Sequence, residues 1–405
     1  MKIPFSPPYI DDSVEHEVLE TLRSGWITSG PKVKALEGEM LKLSGAVACV
    51  GVNSWTSGAL LVLKWLGVGP GDEVIIPAYT YAATALVVLH AGATPVLVDV
   101  LDDFTIDINA VKKVITERTK AIFPVDIGGW PCDYNGLNKV VREDKIIKKF
   151  KPGSPVQQQF GRIVLVSDAA HSIGALYNNM PAASQSDISI YSLHAVKNIT
   201  TAEGGIICLN LPASFDNEEV YRWMKLNSLN GQTKDAFTKT LSGGWRYDIV
   251  SLGLKINMPD VCAAIGLAQI RQYKEGLLLE RKRVFDSYNA GFRKLSWAQL
   301  PLGMDTIRTS AYHIYPLRIN GILETQRDAI IDLITAAGVA VNVHFLPLPM
   351  LTLFKSLGHN ISSYPVAYDN YSREISLPIY PQLRGDELEY IIKTVRNAVE
   401  SIVKK

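Results

Sequence analysis

The chain has 405 residues, of which 47% are hydrophobic and 20% are charged, and its formal net charge is +1. A chain of this length and composition is typical of a soluble globular protein with a large core and two domains. Because positive and negative charges balance, we expect neither a nucleic acid nor an anionic membrane surface as a partner.

The N-terminal segment MKIPFSPPYIDD lacks the apolar core of a signal peptide. The longest apolar run, Tyr81–Val98, is interrupted by His90, Gly92 and Pro95, which does not fit a membrane span. The four cysteines show no CxxC spacing, so we interpret them as reduced thiols that are buried or incidental, with no metal site. These features predict a cytoplasmic protein.

Short segments rich in β-branched residues alternate with helical patterns through the first two-thirds of the chain. The predicted strands are Val47–Val52, Glu73–Pro77, Pro95–Val100, Ala121–Val125, Arg162–Ser167, Asp187–Tyr191 and Gly205–Leu209. The predicted helices between them include Thr56–Leu66, Thr80–Ala91 and Ile108–Ile115. This alternation predicts an α/β fold whose mostly parallel central sheet is flanked by helices. Ligands of such sheets bind at the carboxyl ends of the strands.

The later part of the chain has a different pattern. Lys145–Gly161 is basic and then rich in Pro, Gly and Gln, and we predict an inserted surface loop there. Pro259–Tyr288 predicts one long helix that bridges to a smaller α+β domain. The elements of that domain are predicted as strand His313–Arg318, helix Thr325–Ala337, strand Ala340–Phe345 and helix Asp386–Val403. We therefore predict a large domain over residues 1–250 and a bridging helix with a small domain over 251–405.

One lysine lies in the polar turn between the last two predicted strands of the large domain. Lys197 follows Ser192 and precedes Gly204 and Gly205, which let the backbone approach a flat cofactor closely. A lysine held in this way can be desolvated enough to become a nucleophilic neutral amine. The Ser192 hydroxyl could bind a phosphate. The alternative is that Lys197 is an ordinary loop residue.

Polar and aromatic residues follow the earlier strands. Thr56 and Ser57 begin a helix, whose free N–H groups and positive end can bind a phosphate, although simple helix capping is an alternative. Tyr81 follows the second strand and could stack on a ring, or belong to the core. Asp168 ends a strand, where a carboxylate could keep a pyridine nitrogen protonated, or could only cap a turn.

Several of these stretches together resemble one family. Ser192–Gly205 is similar to the SxHxxKNxTxxEGG motif of the DegT/DnrJ/EryC1/StrS family, the pyridoxal-phosphate sugar aminotransferases of fold type I. Residues 54–60 resemble SxGTxAL, with Trp55 where that family has glycine. Further similar stretches are 24–31, 77–84, 164–171, 253–269 and 343–347.

The resemblance implies roles for individual residues. It implies that pyridoxal 5′-phosphate is held as a Schiff base on Lys197, faces Asp168, stacks on Tyr81, and binds its phosphate with Thr56, Ser57 and Ser192. His171 matches a position near the ring hydroxyl of the cofactor. The resemblance also implies a homodimer with composite sites, in which Lys255, or else Asn257, reaches the phosphate of the neighbouring subunit. It places the substrate near Trp26, Thr28, Ser29 and His344.

The function that this resemblance implies is transfer of an amino group from L-glutamate, leaving 2-oxoglutarate, to a nucleotide-linked keto sugar in polysaccharide, lipopolysaccharide or amino-sugar biosynthesis. A sugar dehydratase of the same fold would lack the lysine, so Lys197 disfavours it. Two alternatives stay open: an enzyme of this fold that acts on free amino acids, and a non-catalytic regulator, for which the chain has no basic helix-turn-helix stretch. The sugar, the nucleotide and the aminated carbon, C3 or C4, are left undetermined.

Overall fold

The computed structural model describes residues 1–233 and 246–403. The described residues include a seven-stranded sheet with the order β1-β9-β8-β5-β4-β2-β3. The strands of the sheet are β1 Ala48–Val52, β2 Glu73–Pro77, β3 Thr94–Val98, β4 Thr119–Ile122, β5 Val164–Asp168, β8 Ile188–Ser192 and β9 Gly205–Leu209. Five neighbouring strands pair in parallel, and β9 is antiparallel to both β1 and β8. This sheet confirms the predicted α/β class.

Helices cover both faces of this sheet. They are Asp12–Arg23, Pro31–Ser44, Trp55–Leu66, Ala83–His90, Ile108–Val114, Tyr134–Val141, Asp144–Lys149, Pro155–Phe160 and Asn217–Ser228. Every residue of β2, β5 and β9 is buried, which explains why these strands are almost continuously apolar and do not alternate. With no solvent-facing side, the sheet exposes its ligand-binding groups only at the strand ends.

The C-terminal part forms a smaller α+β unit, as predicted. Its antiparallel sheet has the order β10-β12-β13, from Ala298–Gln299, Tyr315–Ile319 and Glu374–Leu377. Its helices are Leu278–Phe292, Glu324–Ala336, Thr352–Ser356, Pro365–Arg373 and Gly385–Val403. A third small sheet joins β11 Arg308–Thr309 to the hairpin β6 Leu176–Tyr177 and β7 Met180–Pro181. Leu348 and Phe354 pack into the core of the large sheet, so side chains cross the predicted boundary. The domain boundary at residue 250 stays a prediction.

The predicted strand Ala340–Phe345 was wrong. In the described residues this segment forms only an isolated bridge between Asn342 and Ser376. It leaves the edge of the small sheet because the Tyr79 hydroxyl, from the large sheet, donates to the carbonyl of His344 at 2.6 Å. The segment thus crosses from one unit to the other and contributes residues to the space between them.

Two further predictions of secondary structure were wrong. The predicted loop Lys145–Gly161 contains the helices Asp144–Lys149 and Pro155–Phe160, the second capped by the Ser154 hydroxyl and ended by Gly161 in a left-handed conformation. The predicted long helix is two helices, Asp260–Arg271 and Leu278–Phe292, joined by the π-helical turn Tyr273–Leu277. No helix among the described residues is both long enough and apolar enough to span a bilayer.

Candidate active site

A cavity of about 610 Å³ opens at the carboxyl ends of the parallel strands. The predicted site residues on its wall are Thr56, Tyr81, Asp168, His171, Ser192, Lys197 and His344. The N-terminal segment and the smaller unit close its other side with Phe5, Ser6, His313, Phe345 and Ile379. Residues that are far apart in the sequence therefore share one enclosed space.

Lys197 lies in the turn that connects β8 to β9. Its backbone N–H donates to the carbonyl of His194, and Leu193 N donates to the carbonyl of Gly204 at 2.8 Å, which closes the turn. A Cβ on Gly204 would lie 2.0 Å from the Thr201 hydroxyl, and one on Gly205 would lie 2.6 Å from the carbonyl carbon of Ser54. Gly205 therefore lets the turn pack against the backbone that follows β1, whereas a side chain on Gly204 would have to displace the side chains of Thr201 and Met258.

The Lys197 amine titrates far below an ordinary lysine. Burial lowers its pKa from 10.5 to about 8, and the opposite charge of Asp168 only partly counteracts this effect. An amine with this pKa is neutral in a useful fraction of molecules at neutral pH, and only the neutral amine is a nucleophile.

Asp168 ends β5 on the floor of the cavity. The Thr84 hydroxyl donates to its Oδ2 at 2.8 Å, and Ala170 N donates to Oδ1 at 3.2 Å. Burial raises the pKa of Asp168 to about 6, whereas the hydrogen bonds and the charge of Lys197 lower it. A buried carboxylate whose pKa is raised by burial gains from a further cationic partner, so this position suits a protonated ring nitrogen.

His171 lies beside Asp168 as a neutral ring. Burial lowers its pKa well below 6.5, with a smaller effect from the charge of Lys197. Gly128 N donates to its Nδ1 at 3.2 Å, so the proton of the neutral ring is on Nε2. The rings of His171 and His313 lie 4.3 Å apart. His171 can thus donate one hydrogen bond to a ligand oxygen.

The end of β1 leads into a helix N-terminus on the cavity wall. Ser54 caps the helix Trp55–Leu66, because its hydroxyl accepts from Ser57 N at 3.0 Å and donates to the Ser57 hydroxyl at 2.9 Å. Thr56 lines the cavity and Ser57 does not, and the phosphate-binding role of each stays a prediction. Trp55 also lines the cavity, and its buried Nε1 has no hydrogen-bond partner among the described residues.

These groups fit pyridoxal phosphate. A helix N-terminus with Thr56 and an unpaired indole N–H suits a phosphate, and the Ser192 hydroxyl at the end of β8 adds a further donor on the same wall. The carboxylate of Asp168 suits the ring nitrogen, and the Lys197 amine suits the aldehyde. No group of metal-ligating side chains occurs in the described ranges 1–233 and 246–403.

Tyr81 lies at the mouth of the cavity. Its side chain is 63% exposed, and its ring centroid is 5.7 Å from that of Phe345 at an interplanar angle of 49°. An aromatic ring that is exposed into a cavity can cover one face of a flat ligand. The stacking role of Tyr81 stays a prediction.

The cavity wall does not include Trp26, Thr28, Ser29, Lys255 or Asn257. The Asn257 amide donates to the Ser29 hydroxyl at 2.7 Å, so the two predicted segments are joined to each other. Asn53 N donates to the carbonyl of Ile256 at 2.7 Å, which places this loop beside the residues that lead into the phosphate-binding helix. The roles of these five residues stay predictions.

The sequence patterns did not identify several residues of the cavity wall. The Phe5 ring stacks on that of His344, with centroids 5.4 Å apart, and the Ser6 hydroxyl donates to the carbonyl of Val196 at 3.2 Å. Neither residue belongs to a periodic segment. Thr84 could have been found, since it follows Tyr81 by less than one helical turn and faces the same strand ends.

We expect covalent attachment of the cofactor to follow the low pKa of Lys197. When apoenzyme is mixed with pyridoxal phosphate, the attachment rate should rise with pH up to about 8 and then level off, because the amine is then neutral. At pH 7 about a tenth of the amine is already neutral, on the order of 10²-fold more than for an ordinary lysine. Stopped-flow absorbance would follow the reaction, with N-acetyl-lysine as the reference. A rate that still rises toward pH 10 would contradict the expectation.

Comparisons with known proteins agree with this arrangement. The model of the DegT/DnrJ/EryC1/StrS aminotransferase family matches residues 8–148 and 157–396. The spore coat polysaccharide biosynthesis protein SpsC of Bacillus subtilis is 34% identical over an alignment that covers 98% of this chain and 97% of that protein.

Solved structures are similar over almost the whole chain. The putative sugar aminotransferase Spr1654 from Streptococcus pneumoniae, in its PMP form, is 43% identical with a TM-score of 0.95, covering 99% of this chain and 100% of that one. PseC of Helicobacter pylori, an aminotransferase involved in pseudoaminic acid biosynthesis, is 27% identical with a TM-score of 0.86, covering 99% and 100% of the two chains.

Proposed function

The chain belongs to the DegT/DnrJ/EryC1/StrS aminotransferase family, and from this membership we propose that it transfers the amino group of L-glutamate to a nucleotide-linked keto sugar. It is a pyridoxal-phosphate-dependent sugar aminotransferase. The observation that supports the proposal most directly is the convergence of Lys197, Asp168 and a phosphate-binding helix N-terminus in one cavity. We propose that the reaction takes place in the cytoplasm, where glutamate and nucleotide sugars are available.

Asp168, Thr84 and Lys197 have different roles in the proposed reaction. When bound, pyridoxal phosphate supplies an electron sink for charge that develops at the carbon next to the transferred nitrogen. Asp168 holds a proton at the ring nitrogen, and Thr84 fixes the orientation of that carboxylate. Lys197 Nζ takes the proton from Cα of the amino donor and later delivers a proton to the sugar carbon, a role that typically contributes ~10²–10⁴-fold to the rate.

The names of two relatives support a sugar substrate. SpsC is named for spore coat polysaccharide biosynthesis, and PseC is described as acting in pseudoaminic acid biosynthesis. Both descriptions concern carbohydrates and not free amino acids. We therefore propose a role in cell-surface polysaccharide, lipopolysaccharide or amino-sugar biosynthesis.

A panel of nucleoside-diphosphate 3-keto and 4-keto sugars, each with L-glutamate as donor, tests the proposal. We expect one keto sugar to yield an amino sugar and an equimolar amount of 2-oxoglutarate, both measured by mass spectrometry. Transfer only to free keto acids would instead indicate an enzyme of amino acid metabolism. Cofactor binding without conversion of glutamate would indicate a regulator.

We also propose a homodimer in which Lys255, or Asn257, acts in the site of the partner subunit. The segment just before Lys255 exposes Tyr247, Ile249, Val250 and Leu252, the last being 83% exposed. Exposed apolar side chains this close together in the sequence support a covering protein partner. Lys255 itself is exposed, which leaves its side chain available to a second subunit.

The loop that contains Lys255 also lies close to the phosphate-binding helix N-terminus of its own subunit. A test must therefore distinguish a site shared between subunits from a self-contained one, and subunit complementation does so. Inactive Lys197→Ala is mixed with an impaired Lys255→Ala variant under conditions that permit subunit exchange. In a composite site, mixed dimers have one site with both defects and one with none, so activity should return. If mass spectrometry confirms exchange and activity stays at the level of the parents, Lys255 serves its own subunit.

A further inference from the structure

A buried carboxylate lies behind His344, on the side away from the cavity. Glu374 and Ser376 are two residues apart on β13, so their side chains point to the same face of the strand. The Ser376 hydroxyl is hydrogen-bonded to Glu374 Oε1 and lies 2.9 Å from His344 Nδ1. Glu374 and Ser376 are both 0% exposed. The three side chains form a continuous hydrogen-bonded chain that ends at the cavity wall.

The chain of hydrogen bonds permits two proton arrangements. Glu374 Oε2 accepts from the backbone N–H of His344 at 3.0 Å, so a proton on the carboxyl group must be on Oε1. If Glu374 is protonated, it donates to Ser376, Ser376 donates to Nδ1, and His344 has its proton on Nε2. If Glu374 is ionised, Ser376 donates to the carboxylate, Nδ1–H donates to Ser376, and Nε2 has a free lone pair.

We propose that Glu374 and Ser376 are positioning residues that select the ring nitrogen of His344 that is protonated, and thereby decide whether His344 donates or accepts a hydrogen bond toward the ligand. Nδ1 is engaged by Ser376, which leaves Nε2 as the ring nitrogen available to the cavity. The nature of that ligand, an amino donor or a nucleotide sugar, rests on the proposed function.

The electrostatic surroundings keep His344 neutral and let Glu374 titrate in an accessible range. Burial, with a smaller effect from Lys197, lowers the pKa of His344 to about 3. Burial raises the pKa of Glu374 to about 8, against the lowering effects of its hydrogen bonds and the nearby arginines. Other charged and titratable groups face the hydrogen-bonded side chains of Glu374, Ser376 and His344 from neighbouring elements. These groups are Arg318, Arg327, Tyr79, Lys197, His171 and His313.

The direction of the change follows from these groups. Below pH 8 Glu374 holds its proton, so His344 presents an Nε2–H donor that suits a carboxylate, carbonyl or phosphate oxygen of a substrate. Above pH 8 the proton leaves Glu374 and Nε2 becomes an acceptor, which disfavours the same oxygen. Substrate binding should therefore weaken as pH rises through 8, with a smaller change in kcat.

The protonated nitrogen can be read directly by NMR of the holoenzyme labelled with ¹⁵N-histidine. The spectrum of a His344→Asn variant, which lacks the resonance, assigns it among the seven histidines. In the wild type we expect Nε2–H at pH 6.5 and Nδ1–H at pH 9.5. Glu374→Gln should keep Nε2–H throughout, because its amide N–H replaces the acid proton. Ser372→Ala is the matched control, since the Ser372 hydroxyl donates to the nearby carbonyl of Asp369 and not to the hydrogen-bonded chain of Glu374, and it should titrate like wild type.

Kinetics provide the second measurement. From pH 7 to 9 the KM of one substrate should rise by about tenfold in the wild type, the cost of losing a hydrogen bond to an ionic or polar oxygen, and stay level in Glu374→Gln. One protonated nitrogen throughout the wild-type titration would overturn the proposal, as would a Glu374→Gln variant that titrates like wild type. Because the NMR measurement needs no turnover, its failure is distinct from failure of the proposed sugar transamination.

Discussion

Replacing Lys197 by alanine is expected to abolish transamination and the visible absorbance of the lysine-bound cofactor while leaving the fold intact. The side chain lies in a turn and lines the cavity, and it is not part of a hydrophobic core cluster. The backbone hydrogen bonds that close the turn do not involve the amine. Loss of acid–base catalysis alone costs ~10²–10⁴-fold, and loss of the covalent anchor should cost more.

Single-turnover assays with an absorbance spectrum measure both effects of the Lys197 substitution. Lys294→Ala, which removes an exposed lysine from the smaller unit, is the matched control and should behave as wild type. Unchanged circular dichroism of Lys197→Ala would confirm that the fold is retained. A single turnover by Lys197→Ala would exclude Lys197 as the catalytic amine.

Replacing Asp168 by asparagine should leave pyridoxal phosphate bound and make it poorly reactive. The amide oxygen can still accept from Ala170 N while the amide N–H donates to the Thr84 hydroxyl, so both contacts are retained, but a neutral group no longer favours a protonated ring nitrogen. Each pKa unit that the ring nitrogen loses corresponds to ~1.4 kcal/mol. A loss of a few units therefore lowers the rate by several orders of magnitude.

The turnover number and the cofactor dissociation constant separate this electrostatic role from a structural one. Asp107→Asn is the matched control, because Asp107 caps the helix Ile108–Val114 at the surface by accepting from Asn109 N at 2.8 Å. It should leave both quantities unchanged. If Asp168→Asn changed the rate by less than about tenfold, Asp168 would also be only a cap.

The sequence predicted the strands of the large sheet because each is a continuous apolar run, which a sheet buried on both faces requires. It could not predict the direction of β9, because the pattern of apolar residues along a strand is the same whether the strand pairs in parallel or antiparallel. That direction follows from the connection: the turn around Lys197 is a wide hairpin that brings β9 back beside β8. The helix predicted over Pro259–Tyr288 had no visible break because the π-turn at Tyr273–Leu277 contains no proline.

The predicted site residues after the sheet strands line the cavity where the local pattern places them, with Ser57 as the exception. The Ser57 hydroxyl instead accepts a hydrogen bond from Ser54, which takes the capping position, and spacing alone does not determine which of these two serines is the cap. Glu374 and Phe5 gave no local signal. Glu374 lies in an ordinary strand pattern, and only the fold shows that its carboxyl group is buried behind His344.

The residues that line the cavity range in the sequence from Phe5, near the start of the chain, to Ile379, near its end. A ribosome must therefore have released nearly the whole polypeptide before the wall can close, however early the sheet forms. Contacts between residues this far apart in the sequence form late. Closing the long loop between the two residues costs conformational entropy before the contact itself gives any stabilisation. The groups that suit the cofactor, from Thr56 to Lys197, all come from the first half of the chain, so the large sheet can form the cofactor side of the cavity before the wall closes over it.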